Sequence, residues 1–459
     1  MYDNLSIKLY PYLGRSKNLM EIFVIIGYEE KILEEYSPNI IENQNNLELS
    51  VLSGIISDLS YSIFNPYNII EQIYPEKPKI IKILKREEIP NPTSVLFYSC
   101  FDSIDGKNKV LYSCYALRFY EKYLDKSSQI SYYIPKAFLI FSQYPYFTTY
   151  HDICNNLLEI IKNGKNNIPI EILIHCLINY IPSPINNNLK LKLFSNKPDI
   201  YIEKLTGYPY VDFDLCKIFN LIPINEFIRI FILTILETTL LFFSSNLVNL
   251  NITMYILNIL NYPLIDSNYH WHIKSIPLKK LEEGENALNP TFSGVNATYK
   301  SNYDFSGFTD LNYIIDIENK AIKCVNKNKE NKDFILLEKI LKYIYNILNN
   351  KKVSSYFLSD NLLALRDKLI KIKKEYDTSR GKNMVDTFFY FNNFINQKNK
   401  QIQEAFYDFI LNILYVLHKD YQLSSDGTKI EQVINNNIKY LFSLFLFTHF
   451  IALFSISII

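Results

Sequence analysis

The chain has 459 residues, of which 48% are hydrophobic, and this length predicts two or three domains with cores of their own. Its 48 lysines and arginines nearly balance 47 aspartates and glutamates, so the net charge is only +1. This balance excludes a protein that binds nucleic acid or an anionic membrane through its overall charge.

The first region has the pattern of a small sheet. Glu21–Glu35 reads as a strand, a glycine turn and a charged exit. Two further apolar strands are predicted at Val95–Phe101 and Val110–Phe119, and the segment between them contains Asp105-Gly106. An Asp-Gly pair between apolar strands is a strong hairpin signal, so we expect these two strands to pair.

In the second region strands alternate with helices. A strand near Tyr133 leads into a helix, and further helices are predicted over Pro169–Tyr180 and Asn251–Asn261. A final strand is predicted at Tyr313–Ile317. This alternation predicts a mainly parallel sheet that is covered on both faces.

A long apolar run, Phe227–Val248, occupies the middle of this region. It reads as a buried helix followed directly by a buried strand, and the strand stops at Ser244, Ser245 and Asn246. Polar residues at the carboxyl end of such a strand either receive a ligand or cap the next helix. We expect capping in either case.

Beyond Lys320 the sequence becomes charged and helical. Apolar residues at spacings of three and four predict amphipathic helices over Phe334–Asn349 and Gln401–Tyr421, with a mobile polar loop over Lys371–Lys382 between them. The last segment, Leu441–Ile459, carries no acid, lysine or arginine and has the length of a membrane span. Because serines, Thr448 and His449 dilute its apolarity, we favour a buried closing helix.

Motifs for covalent or cofactor chemistry are missing from the sequence. It contains neither GxxxxGK[ST] nor GxGxxG, and no GxSxG nucleophile elbow. The six cysteines form no CxxC pair. His270 and His272 could bind a metal only with further ligands, of which Asp266 is the nearest candidate, and we favour a structural role. We therefore predict no catalytic residue, no metal site and no cofactor.

Several segments, in this order, resemble the DENN module, the family of exchange factors for Rab GTPases. The first are the strand IFVIIG and the hairpin LFYSCFDSIDGKNKVLYSCYALRFYE. The central ones are PKAFLIFSQYPYFTTYHDIC, IPIEILIHCLINYIPSP, LTILETTLLFFSSNLVNL, HWHIKSIP and NPTFSGV. IQEAFYDFILNILYVLHKDY and FLFTHFIALF are similar to the closing helices of the family. Agreement of independent segments in sequence order makes the resemblance specific.

The resemblance implies an α/β fold in the form of a bilobed DENN module. Residues 1–128 would form a longin-like α/β first lobe (uDENN), residues 129–322 a doubly wound α/β central lobe (cDENN), and residues 323–459 a helical C-terminal region (dDENN). A Rab-family small GTPase would lie across both lobes.

The implied function is guanine-nucleotide exchange in vesicle trafficking, without covalent chemistry by this chain and hence not as an enzyme in that sense. The resemblance implies a cytoplasmic protein that is recruited to endomembranes, with any membrane association indirect, through the Rab. A non-catalytic Rab effector or trafficking scaffold is the alternative. A further rival is stimulation of GTP hydrolysis by an inserted arginine, for which Arg118 and Arg229 are the candidates.

The residues that would contact the GTPase lie at the ends of surface elements. The candidates in the central lobe are Ser244, Ser245, Asn246, Pro290, Thr291, Phe292 and Gly294, and those in the first lobe are Asp102 and Asp105. The sequence departs from the family pattern at Thr238-Thr239, where basic residues are common after the position of Glu237. This departure bears on the choice of partner rather than on the fold.

Overall fold

The structure is a computed structural model. It describes residues 17–37, 39–56, 66–82, 89–102, 109–163, 169–184, 187–192, 199–203, 211–235, 238–261, 274–276, 292–300, 303, 305, 313–325, 341–342, 344–349, 357–379, 388–389 and 392–423. The predicted tail helix Leu441–Ile459 lies outside these residues, as do His270 and His272.

The first sheet is antiparallel and has the strand order β2–β1–β6–β5–β4. Its strands are β1 (Ile22–Gly27), β2 (Ser50–Ile56), β4 (Thr93–Asp102), β5 (Lys109–Leu124) and β6 (Ser131–Ser142), and the short β3 (Ile81–Lys82) pairs with the start of β6. The predicted pairing of the two strands around Asp105-Gly106 is confirmed as the pairing of β4 with β5.

Five helices accompany this sheet. They are α1 (Glu30–Glu35), α2 (Ile40–Asn43), α3 (Pro66–Ile73), α4 (Phe147–Asn163) and α5 (Ile170–Tyr180). Helix α4 packs on β5, and α5 packs on β1 and β2. The predicted helix Pro169–Tyr180 is confirmed, since Pro169 is the N-cap residue of α5.

Strand β6 belongs to this first sheet, although residues 131–142 follow the predicted domain boundary at 128/129. It pairs with β5 on one side and with β1 on the other. The 128/129 boundary therefore separates two strands that are hydrogen-bonded to each other. Apolar periodicity gives no information about which sheet a buried strand joins.

The second sheet has the order β10–β11–β9–β12–β13. Its strands are β9 (Leu240–Phe243), β10 (Lys274–Ile276), β11 (Phe292–Val295), β12 (Tyr313–Asp316) and β13 (Ala321–Cys324). The first four strands in this order are parallel, and β13 is antiparallel to β12. An isolated pair, β7 (Leu189–Leu191) with β8 (Ile200–Ile202), lies outside both sheets.

Both faces of the second sheet are covered, as predicted. Alternate side chains of β9 lie on opposite faces of the sheet. Leu240 and Phe242 belong to the main core, and Leu241 and Phe243 belong to a smaller hydrophobic cluster. In the described part of the chain the smaller cluster is closed by aromatic side chains of residues 299–305 rather than by a helix. The α/β fold class is confirmed.

Helix α8 (Leu247–Leu260) joins the two sheets. It follows α6 (Ile218–Leu221) and α7 (Ile224–Ile235), and twelve of its fourteen residues are buried, so it has no solvent face. It packs on β4 of the first sheet and on β9 and β11 of the second. Because both sheets share this helix, they are held as one packed body.

Two long helices complete the described fold. Helix α9 (Phe357–Ser379) packs on α7 and on α10 (Asn393–Leu423), and α10 also contacts α8. The predicted helix Gln401–Tyr421 is thus confirmed within a longer one. Of the predicted helix Phe334–Asn349, residues 341–342 and 344–348 are helical, and residues 334–340 lie outside the description.

The prediction of a mobile loop over Lys371–Lys382 is wrong as far as Ser379. Leu369, Ile372 and Tyr376 are buried at helical spacing, and the polar residues between them form the outer face of α9. Strand β13 was also missed, because its four residues are only partly buried and alternate weakly.

The segment 211–217, here called the aspartate junction, connects these helices to the rest of the fold. Asp212 accepts hydrogen bonds from the Thr148 and Thr149 amides at the start of α4, at 2.9 and 3.2 Å. Asp214 accepts from the Tyr376 hydroxyl at 2.5 Å. The Asn399 amide of α10 donates to the Phe213 carbonyl at 2.7 Å. Three helices therefore converge on one short segment.

Candidate functional site

Residues 244–246, here called the serine turn, connect β9 to α8. Ser244 is buried, whereas Ser245 and Asn246 are exposed. Oδ1 of Asn246 accepts hydrogen bonds from the amides of Val248 and Asn249, at 3.0 and 3.1 Å. Asn246 is therefore the N-cap of α8, and the predicted capping role is confirmed.

An acidic residue that sequence reasoning did not single out holds this turn. Glu318 Oε1 accepts hydrogen bonds from Ser244 Oγ at 2.9 Å, from the Ser245 amide at 2.6 Å and from Ser245 Oγ at 3.0 Å. Glu318 lies in the turn between β12 and β13 and is exposed. The sequence signal that could have identified Glu318 is its position, since it is an acid just after β12, a strand that pairs in parallel with β9.

The end of strand β11 also makes hydrogen bonds to the serine turn. The Ser244 amide donates to the Val295 carbonyl at 3.2 Å. The side-chain amide of Asn296 is oriented with its nitrogen facing residues 244–245. This nitrogen donates to the carbonyls of Ser244 and Ser245, each at 3.1 Å. The ends of β9, β11 and β12 are thus tied together around the serine turn.

Gly294 is not a surface residue. It is buried in β11, and a Cβ atom there would lie 2.8 Å from Met254 Cε and 2.9 Å from Leu250 Cγ of α8. The glycine allows close packing of the helix on the sheet. This correction removes Gly294 from the candidate contact surface.

We expect Gly294→Ala to lower the free energy of unfolding by about 1–2 kcal/mol, because Leu250 and Met254 must shift to admit the methyl group. Urea denaturation measures this change, with Thr298→Ala, an exposed position three residues after β11 ends, as the control. Unchanged stability combined with weaker partner binding would restore Gly294 to the contact surface.

Among the remaining candidates, Phe292 lies away from the serine turn. Phe292 pairs with Leu240 at the start of β9, whereas the turn follows Phe243 at its end. The start and the end of β9 are separated by about 10 Å along the strand. Asp102 ends β4, where it pairs with Lys109 of β5. Asp105, Pro290 and Thr291 lie outside the described residues.

The two arginines considered for GTP hydrolysis are partly buried and make contacts within the protein. Arg118 donates from Nε to Thr93 Oγ1 at 2.9 Å and lies over the Tyr74 ring, and burial lowers its pKa. Arg229 donates to Glu226 at 2.6 Å and lies over the Tyr345 ring.

A second polar cluster lies where the first sheet meets α4. The Tyr115 hydroxyl is 2.8 Å from His151 Nδ1 and 2.8 Å from Ser94 Oγ. The His151 ring stacks on Phe389, with ring centroids 4.5 Å apart. Burial lowers the pKa of His151 to about 4, so the imidazole is neutral at pH 7. These contacts identify a structural cluster rather than a catalytic one.

Two further observations concern metal ions and membranes. Within the described ranges, no group of three or more His, Cys, Asp or Glu residues is arranged to hold a metal ion. No individual helix in the described part of the chain has the length and apolarity of a membrane span. The segments Leu215–Leu221 and Ile224–Ile235 meet that criterion only as a pair, which is bent by 106°.

Comparison with known proteins assigns the central part of the chain. No curated protein matches the sequence. The family model for the DENN (AEX-3) domain matches residues 133–281, which run from β6 through α8 to β10 and include the serine turn. Residues 133–281 of this chain therefore form a DENN domain.

Proposed function

We propose that this protein promotes GDP release from a Rab-family small GTPase in vesicle trafficking. The observation that carries the proposal is the serine turn. It lies within the matched DENN region, two of its three residues are exposed, and its backbone is held by hydrogen bonds. Ser245 and Asn246 are exposed, while Glu318, Asn296 and the α8 amides fix the backbone between them.

Such a surface can act without acid, base or nucleophile. A GTPase holds GDP through its phosphate loop, its switches and Mg²⁺. A protein that binds the nucleotide-free arrangement more tightly than the GDP-bound one shifts the equilibrium toward release. A thousandfold faster release requires that this preference contribute roughly 4 kcal/mol at the rate-limiting step.

A rigid platform favours this differential binding. A preformed turn loses little conformational entropy when it docks, so more of the contact energy remains for discriminating between GTPase states. Because α8 packs on both sheets, a GTPase that touches both would meet surfaces in a fixed relation. We propose the serine turn as one contact point of that interface, with the GTPase across the two predicted lobes.

The test is release of the fluorescent GDP analogue mant-GDP from a panel of purified Rab GTPases. We expect at least one Rab to release nucleotide about a hundredfold faster with the full-length protein than alone. Tight binding to a Rab without faster release would contradict exchange and favour the effector or scaffold function.

Glu318→Ala should reduce exchange about tenfold, because the three hydrogen bonds that hold the serine turn are lost. Ser245→Ala should reduce it less, and the double variant should be no worse than Glu318→Ala, since both act through one turn. The assay is mant-GDP release, accompanied by the affinity for the nucleotide-free Rab.

Glu404→Ala provides the matched control for this series, because Glu404 is an exposed acid on α10, outside the serine turn. An unchanged rate in Glu318→Ala would show that the serine turn does not contact the GTPase, and additive losses in the double variant would show that Glu318 and Ser245 do not act through one turn.

Stimulated GTP hydrolysis is disfavoured for the two arginines considered. Arg118 and Arg229 are both engaged in internal contacts, so insertion into another protein's nucleotide site would require breaking them. Loss of stimulated hydrolysis in Arg118→Ala, with binding intact, would reverse this conclusion.

A further inference from the structure

Strand β5 extends beyond the end of its pairing with the neighbouring strand β4. It pairs with β6 as far as Leu124, but its pairing with β4 ends where Arg118 meets Thr93. Alternate residues of an antiparallel strand point their N–H and C=O groups to opposite sides. Residues 119–124 therefore present backbone groups on the side away from β6 that no strand of the described chain pairs.

The sequence before β4 explains why pairing stops. Pro90 and Pro92 precede Thr93, and proline has no backbone N–H to donate to a ladder. The chain at 89–92 consequently stands apart from β5. The space between them is a groove of about 640 Å³, here called the β5-edge groove.

The walls of the groove contain apolar side chains among polar groups. Pro90 and Pro92 form one side, Phe119 and Tyr133 come from the sheet, and Leu158 and Ile161 come from the end of α4. A volume in this range accommodates a short segment of polypeptide, with one or two apolar side chains inserted among those walls.

The charge of the groove is positive. Lys122 on β5 and Lys162 on the last turn of α4 are exposed, and neither makes an ion pair within the described structure. Among the described residues that line the groove, the one acid is Glu121, and it is paired with Lys136. Two unpaired ammonium groups beside an open strand edge favour an acidic occupant and repel a basic one.

We propose that the β5-edge groove binds an extended acidic segment of a partner protein, which adds to the first sheet as a strand beside residues 119–124. Main-chain hydrogen bonds to β5 would supply affinity, while the apolar side chains in the walls and the two lysines would supply specificity. The site is distinct from the serine turn and does not depend on exchange activity.

The test uses a fluorescent, terminally blocked peptide of about eight residues in which aspartate alternates with valine, a length that spans the open edge. We expect the full-length protein to bind it with a dissociation constant of about 10 µM by fluorescence anisotropy. The same peptide with alternate amides N-methylated should bind at least about tenfold more weakly, because it cannot complete the ladder.

The double variant Lys122→Glu/Lys162→Glu should also weaken binding at least about tenfold. The matched control is Lys371→Glu/Lys374→Glu, which reverses two exposed lysines on α9 and should bind like the wild type. The proposal is overturned by absent binding up to about 1 mM peptide. Equal binding of the methylated peptide, or of a peptide with lysine in place of aspartate, would overturn it too.

Discussion

Replacing Asn399 with leucine should lower the free energy of unfolding by about 4 kcal/mol, because two buried backbone groups would lose their partners. In the native protein the Asn399 amide donates to the Phe213 carbonyl at 2.7 Å, and its oxygen accepts from the Leu215 amide at 3.0 Å. Leucine fills a similar volume but can make neither bond, so the cost is chiefly that of desolvated polar groups.

The consequence should extend beyond α10. The aspartate junction also binds α4 through Asp212 and α9 through Tyr376, so loosening it at Asn399 weakens the attachment of both. Urea denaturation measures the loss, with Glu404→Ala, an exposed change on the same helix, as the control. A loss below about 1 kcal/mol would mean that water replaces the amide and that the junction is not a buried anchor.

The second large effect concerns pH. His151 should make the protein less stable as the pH falls from about 6.5 toward 4, because the unfolded chain takes up a proton that the native imidazole does not. The native pKa, lowered to about 4 by burial, lies below the unfolded value, so this contribution is fully present above about pH 6.5. Protonation would also leave Nδ1, which lies 2.8 Å from the Tyr115 hydroxyl, able only to donate.

Nearby carboxyl groups act in the opposite direction. Burial raises the pKa of Asp152 to about 6 and that of Asp212 to about 7. Their native forms bind protons before the unfolded chain does, which adds stability as the pH falls from about 7 toward 4. Total stability therefore does not isolate His151.

The informative quantity is the difference between the wild type and His151→Gln, which keeps a hydrogen-bond acceptor without a titrating ring. We expect this difference in unfolding free energy to fall by about 2.5 kcal/mol between about pH 7.5 and about pH 4.5. Urea denaturation across that range measures it, with His175→Gln on the exposed face of α5 as the matched control. A difference that stays constant with pH would show that the pKa of His151 is the same in the native protein as in the unfolded chain.

Elements with strong local patterns could be predicted from the sequence. The run from Phe227 to Val248 gave a helix, a strand and a capping asparagine in the correct order, because burial on all sides leaves a continuous apolar signal. The hairpin around Asp105-Gly106 was equally clear at the level of strand pairing. In both cases the deciding interactions lie within a few residues along the chain.

Prediction was wrong or incomplete where tertiary contacts decide. The polar stretch after Lys371 lacks a local helix signal of its own, yet burial of Ile372 and Tyr376 against the core makes it part of α9. Ser244 and Ser245 were identified as candidates, but Glu318 was not, although its carboxylate holds them. The two parts are more than seventy residues apart, and only the parallel pairing of β9 with β12 brings them together.

The sequence by itself determined the α/β class, the order of most elements and the resemblance to the DENN module, because apolar periodicity and turn residues act locally. Only the tertiary structure decided that β6 joins the first sheet and that Gly294 packs against α8. The same holds for β5, which extends six residues beyond its pairing with β4. The physical reason is the same in each case. Strand partners and helix contacts are chosen by the surface that each element can bury, and that surface belongs to residues far away in the chain.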